Sequence, residues 1–194
     1  MNTDFETLSK LIRNRRSIFP ASYIEKEIPK AYIEAILESA NFAPTHKLTQ
    51  PWRFVVIRQD AKTRLGLELG KLYTERVTPD KFLQKKYDSF AQKTGQADCI
   101  LAINVQFHPD KVPNWEEVAA VSCAVQNMAL TAESLNIGAY WSSPPLIDQL
   151  GDFLSLGENE KCLGLFYMGF HNEETREANR SSMEGKIKWM DRYA

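Results

Sequence analysis

Hydrophobic positions recur along this chain with two periods, and the switches between them mark out its elements. From Asp4 to Asn14, Phe5, Leu8, Leu11 and Ile12 fall on one face of a helix, and Asp4 stands where a capping side chain belongs. A polar, proline-containing connection leads to Pro29, which opens a second helix with Ile33, Ile36, Leu37 and Ala40 on one side. Ala43-Pro44 ends it, because a residue before proline is pushed out of helical geometry. The β-branched and aromatic run from Trp52 to Ile57 predicts a strand. Lys62 to about Lys93 is charged and reads as two helices broken at Thr78-Pro79-Asp80. Cys99 to Phe107 is apolar at nearly every position, the pattern of a strand central in a sheet.

Glu116 to Leu135 departs from the amphipathic pattern. Val118, Val121, Val125, Met128, Leu130 and Leu135, with the alanines between them, wrap nearly the whole helix, so it must be covered on several sides. Gln126, Asn127 and Glu133 make it too polar for lipid, and a partner subunit would supply the missing cover. Gly138 to Ser142 follows as a short strand or turn, Leu146 to Leu154 as a short helix, and Leu163 to Phe170 as a third strong strand. The tail from His171 is polar until Ile187, Trp189 and Met190, late anchors suited to another surface. With no internal repeat, low-complexity segment or linker, residues 1–194 read as a single α+β domain.

A formal net charge of -1, from 24 Lys+Arg against 25 Asp+Glu, gives no global basic field for nucleic acid. Lys85-Lys86 reads as a solvated helix face. Cys99, Cys123 and Cys162 are odd in number, far apart and set in apolar stretches, which points to buried thiols rather than to disulfides or zinc. His46, His108 and His171 have no metal-ligand spacing, so no metal site is expected. The first residues lack the order of a signal peptide, and no apolar run reaches the roughly 18 residues of a membrane span. A cytoplasmic protein without membrane association is the simplest expectation.

Three segments carry candidate chemistry. Arg15-Arg16-Ser17, at a predicted helix end, offers planar bidentate donors and a hydroxyl that suit a phosphate monoester. A solvated last turn favoured by the helix dipole fits the same residues. In Asn41 to Phe54, two prolines frame a polar loop containing His46 that leads from helix to strand. Loops leaving rigid elements often hold binding groups, and an ordinary connection with a surface histidine reads equally well. Ile137 to Pro144 combines a glycine permitting close backbone approach, two aromatics and adjacent serines. That mixture suits a flavin ring, and it also suits a buried strand end with Tyr140 and Trp141 as core.

Taken together and in order, these segments resemble the nitroreductase family. Arg15-Arg16-Ser17 is similar to its Arg-Arg-Ser start, and Ala43-Pro44-Thr45 through Gln50-Pro51-Trp52-Arg53-Phe54 to its second signature. Gly138 to Ser143 falls where its third flavin-contacting turn sits. The resemblance covers roughly Phe5 to Trp189. It implies a nitroreductase-like fold, with a central, mostly antiparallel sheet flanked by helices, in an intertwined homodimer with two FMN sites at the interface. By position, Arg15, Arg16 and Ser17 would hold the phosphate and ribityl end, with Arg180 adding a phosphate contact. Trp141, Ser142 and Ser143 would line the isoalloxazine, and His46 would reach the flavin of the opposite subunit. Many members carry Gly-Gly-Asn or Gly-Asn before Gln-Pro-Trp, whereas this chain has His46-Lys47-Leu48-Thr49, as in a small subgroup with His-Lys in that loop. The approach to the long helix, Lys111 to Glu116, agrees with that subgroup, and Phe42 stands where a relative carries arginine.

The resemblance implies ping-pong transfer: NADH or NADPH gives a hydride to FMN and leaves, and a nitroaromatic- or quinone-like acceptor takes its place. No side chain is required as catalytic acid or base. Backbone N–H groups near Ser142 and Ser143 would stabilise negative charge on the reduced ring. The segment from Lys62 to Lys93 would cover the pocket, although Leu69, Leu72, Tyr73, Phe82 and Phe90 also read as ordinary packing. A flavin-binding or flavin-delivering protein with little turnover would keep Arg15, Ser17 and Arg180 but cover the ring. An interaction module would use the arginines on a protein partner.

Overall fold

The computed structural model describes residues 2–174 and 176–191. Helix α1 spans Thr3–Asn14, and its cap is Asn2, whose side chain accepts from the Asp4 N–H at 2.9 Å. Asp4 therefore lies inside the first turn, where the positive helix end favours an acid, and not at the cap. The expected apolar stripe is present but uncovered: α1 buries none of its residues, and Phe5, Leu8 and Ile12 are each about half exposed.

Helix α2, Lys30–Ala40, turns Ile33, Ile36 and Ala40 inward. It stops before Ala43-Pro44 because Asn41 and Phe42 already leave helical pairing. Helices α3, Asp60–Arg76, and α4, Gln84–Gln96, pack on each other across a break at Pro79–Lys81. The long helix α5 spans Asn114–Ser134. After it, the expected short helix resolves into a turn at Ile147–Gln149 and the single-turn α6, Gly151–Leu154.

Four strands, β1 Trp52–Ile57, β2 Cys99–Gln106, β3 Ile137–Ser142 and β4 Glu160–Phe170, form a wholly antiparallel sheet in the order β1-β2-β4-β3. Cys99 to Val105 are all buried, as a central strand requires. Period-two alternation sends Leu101, Ile103, Phe166 and Met168 into a core with α2 and α5. Ile100, Ala102, Leu165 and Tyr167 enter a second core with Leu65, Leu69, Phe90 and Leu150. The apolar residues of α3 and α4 are thus mainly packing. An ion pair ties β1 to the start of β2: Asp98 accepts from Arg58 at 3.1 Å and from the Ile28 N–H at 3.0 Å.

The β2–β4 register slips between Ile103 and Asn104, so Gly164 opposes Ile103 while Cys162 opposes Asn104. Gly164 is needed there. A Cβ on it would lie 2.0 Å from Nε1 of Trp141, whose indole packs over the glycine and donates to the Leu163 carbonyl at 3.1 Å.

Cys99 and Cys162 are buried, which pushes their thiols up to about 12 and about 11, out of the reactive range. Cys123 is exposed, contrary to expectation. It belongs to an exposed stripe of α5 with Trp115, Ala119 and Gln126, while the opposite side buries Val121, Ala124 and Met128. Among the described residues no helix is long and apolar enough to cross a membrane.

Gly164→Ala should lower stability by about 1–3 kcal/mol, the usual cost of overpacking, because the indole of Trp141 must move. Urea unfolding checks this, and an unchanged midpoint would remove Gly164 as the seat of Trp141.

Candidate functional site

Helix α1 ends where Arg15 bends the chain into extended backbone, its N–H still bonded to the Leu11 carbonyl at 3.0 Å. The next residues lie along the free edge of β3. Ser17 pairs with Ala139 in a parallel bridge, and the Ile18 N–H donates to the Ala139 carbonyl at 3.2 Å. Gly138 permits this approach, since a Cβ there would meet Ile18 at 2.9 Å and His171 at 2.7 Å. The first and third candidate segments are thereby brought together.

Their side chains divide by alternation. Arg16 and Ile18 line a cleft of about 200 Å³ with Asn14, Glu133, Glu173 and Arg176. The Arg16 guanidinium turns back to the carbonyls of Arg13 at 2.6 Å and Arg15 at 2.9 Å, as expected of a cation at a helix C-terminus. Ser17 is exposed, and Phe19 two residues on lies 4.8 Å from the ring of Tyr140. Arg15 is half-buried, and its guanidinium has no hydrogen bond or ion pair among the described residues.

Along β3, Trp141 is half-buried over Gly164, Ser142 is half-buried, and Ser143 is exposed just past the strand. Tyr140 is core, stacked on Tyr167 at 5.2 Å. Its hydroxyl is buried with no well-formed hydrogen bond among the described residues, and burial pushes its pKa up against a weaker opposing pull from the Ser142 side chain. Arg180, in the irregular tail, is exposed, and among the described residues it bonds to the neighbouring Asn179 carbonyl at 2.8 Å. Arg176, also in the tail, reaches the Ser17 carbonyl at 3.5 Å and pairs with Glu173 at 2.9 Å.

The second segment lies elsewhere. From Thr45 to Gln50 the backbone holds three non-glycine residues in the left-handed region: Lys47 at φ 49°, Leu48 at φ 52° and Gln50 at φ 44°. Such residues cost about 1–3 kcal/mol each and persist only where surroundings enforce them. The loop is held by a Thr45–Thr49 hydroxyl contact at 3.2 Å, by the Gln50 N–H donating to Thr45 at 3.1 Å, and by the Arg53 guanidinium on the Gln50 carbonyl at 3.0 Å. Two further ties reach the start of α5. Nδ1 of His46 lies 2.5 Å from Oε2 of Glu116, and the Lys47 ammonium donates to the Lys111 carbonyl at 2.7 Å. Beside them Glu117, only 1 % exposed, accepts from both the backbone N–H and the ring of His108 at 2.7 Å. Phe42 and Leu48 point outward, 76 % and 80 % exposed.

Within the chain the candidates therefore fall into two groups at opposite ends of α5. His46 stands at Glu116, and Arg16 stands by Glu133. The intervening helix is roughly 26 Å long at 1.5 Å per residue.

The nitroreductase family model matches residues 12–170. The chain belongs to the nitroreductase family. Within that family, YfhC of Bacillus subtilis (strain 168), provisionally named an NAD(P)H nitroreductase, is 25% identical over 185 residues, which is 94% of each chain. A nitroreductase-like family protein from Bacillus cereus superposes with a TM-score of 0.83 at 18% identity, covering 95% of this chain and 96% of that one. The FMN-dependent nitroreductase NfnB from Mycobacterium smegmatis, solved in complex with NADPH, gives a TM-score of 0.76 at 16% identity, covering 96% of this chain and 99% of that one. The family's fold is this antiparallel sheet with helices on both faces.

Sequence reading passed over Arg176, Glu116 and Glu117. Glu116 and Arg176 have partners 70 and 159 residues away, and Glu117, whose partner His108 is nine residues before it, reads only as one acid of a helix's first turn. Glu117→Ala should destabilise the fold by about 3 kcal/mol, because a buried acceptor is removed from two donors of His108. Chemical denaturation measures this, and a loss under half that size would make Glu117 a bystander.

Proposed function

We propose that this chain is an FMN-dependent oxidoreductase that draws electrons from NADH or NADPH and passes them to a small organic acceptor of nitroaromatic or quinone type. Its two sites lie across the interface of a homodimer. The observation that carries this reading is the division of the candidate residues between the two ends of α5. One flavin cannot meet both groups within a subunit. Two subunits with α5 helices running oppositely would bring His46 of each to the Arg15–Ser17 end of the other.

The uncovered apolar surfaces support such a pairing. Phe5, Leu8 and Ile12 of α1, Trp115 of α5, the loop residues Phe42 and Leu48, and Ile187, Trp189 and Met190 of the tail are all at least half exposed. The whole chain would serve as one domain, its tail from about residue 171 reaching the partner.

The residues fit a flavin mononucleotide. A half-buried guanidinium without partners among the described residues, Arg15, sits two residues from the exposed hydroxyl of Ser17, a donor pair for a phosphate dianion. Arg16 shapes this end by holding the α1 carbonyls, and Arg176 or Arg180 adds positive charge from the tail. Trp141 offers an apolar face, while Ser142 and Ser143 offer N–H groups at the end of β3. Bound FMN would supply the two-electron chemistry between nicotinamide and acceptor. The protein's part is to orient the ring, donate hydrogen bonds where negative charge develops, and leave one face open to each reactant in turn. No side-chain acid or base is required, and the setting would be the cytoplasm.

The purified protein should show flavin bands that bleach with NADH or NADPH under anaerobic conditions. No flavin, and none taken up from added FMN, would sink the proposal; a flavin-retaining monomer in light scattering would sink the interface site. Arg15→Ala should raise the Kd for FMN about 10- to 100-fold, the size of one charge-assisted hydrogen bond. Undiminished affinity in a fluorescence titration would move the phosphate elsewhere.

A further inference from the structure

Glu116 and Glu117 are adjacent on the first turn of α5, yet their carboxylates do different things. Glu117 is buried and fully used by His108, a purely internal contact. Glu116 is partly open and meets His46, whose side chain is 59% exposed. A carboxylate only accepts, so the nitrogen 2.5 Å from it, Nδ1, must carry the hydrogen. That fixes the tautomer of the neutral ring and leaves Nε2, on the far side of the imidazole, without a hydrogen bond among the described residues. The backbone under the ring is held as firmly, by the left-handed run from Lys47 to Gln50 and the Lys47–Lys111 tie. Fixing the donor nitrogen, the ring plane and the backbone together is more than a surface histidine needs.

We propose that Glu116 is the positioning residue for His46: it holds the Nδ1–H tautomer and presents Nε2 outward to the flavin bound by the partner subunit. This rests on the interface reading above. Glu116 touches no reactant itself. Glu117 cannot replace it, because both its oxygens are engaged by His108.

Nitrogen-15 spectra of the full-length chain, labelled in its imidazoles and held at alkaline pH, test the first half without flavin. His46 should show a protonated Nδ1 and a bare Nε2 in the wild type. Glu116→Gln, whose amide oxygen still accepts, should keep that pattern, and Glu116→Leu should lose it. A wild-type His46 with Nε2 protonated instead, or a pattern unchanged in Glu116→Leu, overturns the proposal. In the FMN-loaded protein, Glu116→Leu and His46→Ala should each raise KM for the nicotinamide about three- to tenfold, as for one hydrogen bond, and shift the flavin bands alike. The double variant should go no further, and Glu116→Gln should stay near wild type. A Glu116→Leu effect that persists undiminished in the His46→Ala background makes Glu116 merely structural and also overturns the proposal. If His46→Ala alone moves neither the bands nor KM, the placement of His46 at the flavin falls, while the tautomer result stands by itself.

Discussion

Packing of α5 across one face of the antiparallel sheet decides where every other candidate group can lie. Its inner side, Val121, Ala124 and Met128, closes the core shared with α2, β2 and β4. A helix seated this way cannot slide or tilt without opening a close-packed interior. Its two ends are therefore fixed points. One anchors the loop that carries His46, and the other borders the cleft beside Arg16. Because the helix is longer than a single cofactor could bridge, the proposed flavin site needs a division of labour between two subunits. The same helix leaves Trp115, Ala119 and Cys123 open on its outer side, the surface a second copy would need to approach.

The opposite face of the sheet has another task. Residues of α3, α4 and α6 fill the second core, which stiffens β4 behind β3. The register slip at Gly164 then gives Trp141 a seat, and Gly138 lets the segment after α1 lie along the strand edge. Two glycines that lack a Cβ where backbone or indole must come close thus set both the floor of the proposed ring site and the approach to the phosphate end. Neither contributes a functional group.

Much of this was legible because it depends on local pattern. Trp52–Ile57 and the central strand from Cys99 declare themselves through alternation and continuous apolarity, and both are burial signals. The glycine of the third segment was read as permitting close approach, which is its role against Ile18. What escaped depends on backbone geometry and on which particular partner a side chain meets. Asn2 rather than Asp4 caps α1, a difference of two residues that only backbone geometry settles. Cys123 looked buried because its neighbours are apolar, but those neighbours face both ways round the helix. Arg15 and Arg16 are indistinguishable in sequence, and extended backbone separates them, sending Arg16 to its own helix end and leaving Arg15 without a side-chain partner among the described residues. Glu116 and Glu117 read as an acidic first turn, although each has a particular histidine to hold.

The left-handed run at Lys47, Leu48 and Gln50 bears on how such a loop can change over evolutionary time. Glycine adopts that conformation without steric cost, so relatives with glycines before Gln-Pro-Trp reach it freely but must order a more adaptable chain. Here the cost is met in the folded state by ties that run to another element. Loop and helix terminus are consequently one heritable unit. Losing the ties would leave the strained backbone unsupported, and glycines without the ties would leave a hinge. A lineage can pass between the two solutions only by changing both places together, so variation in this loop should be matched, position for position, by variation at the first turn of α5.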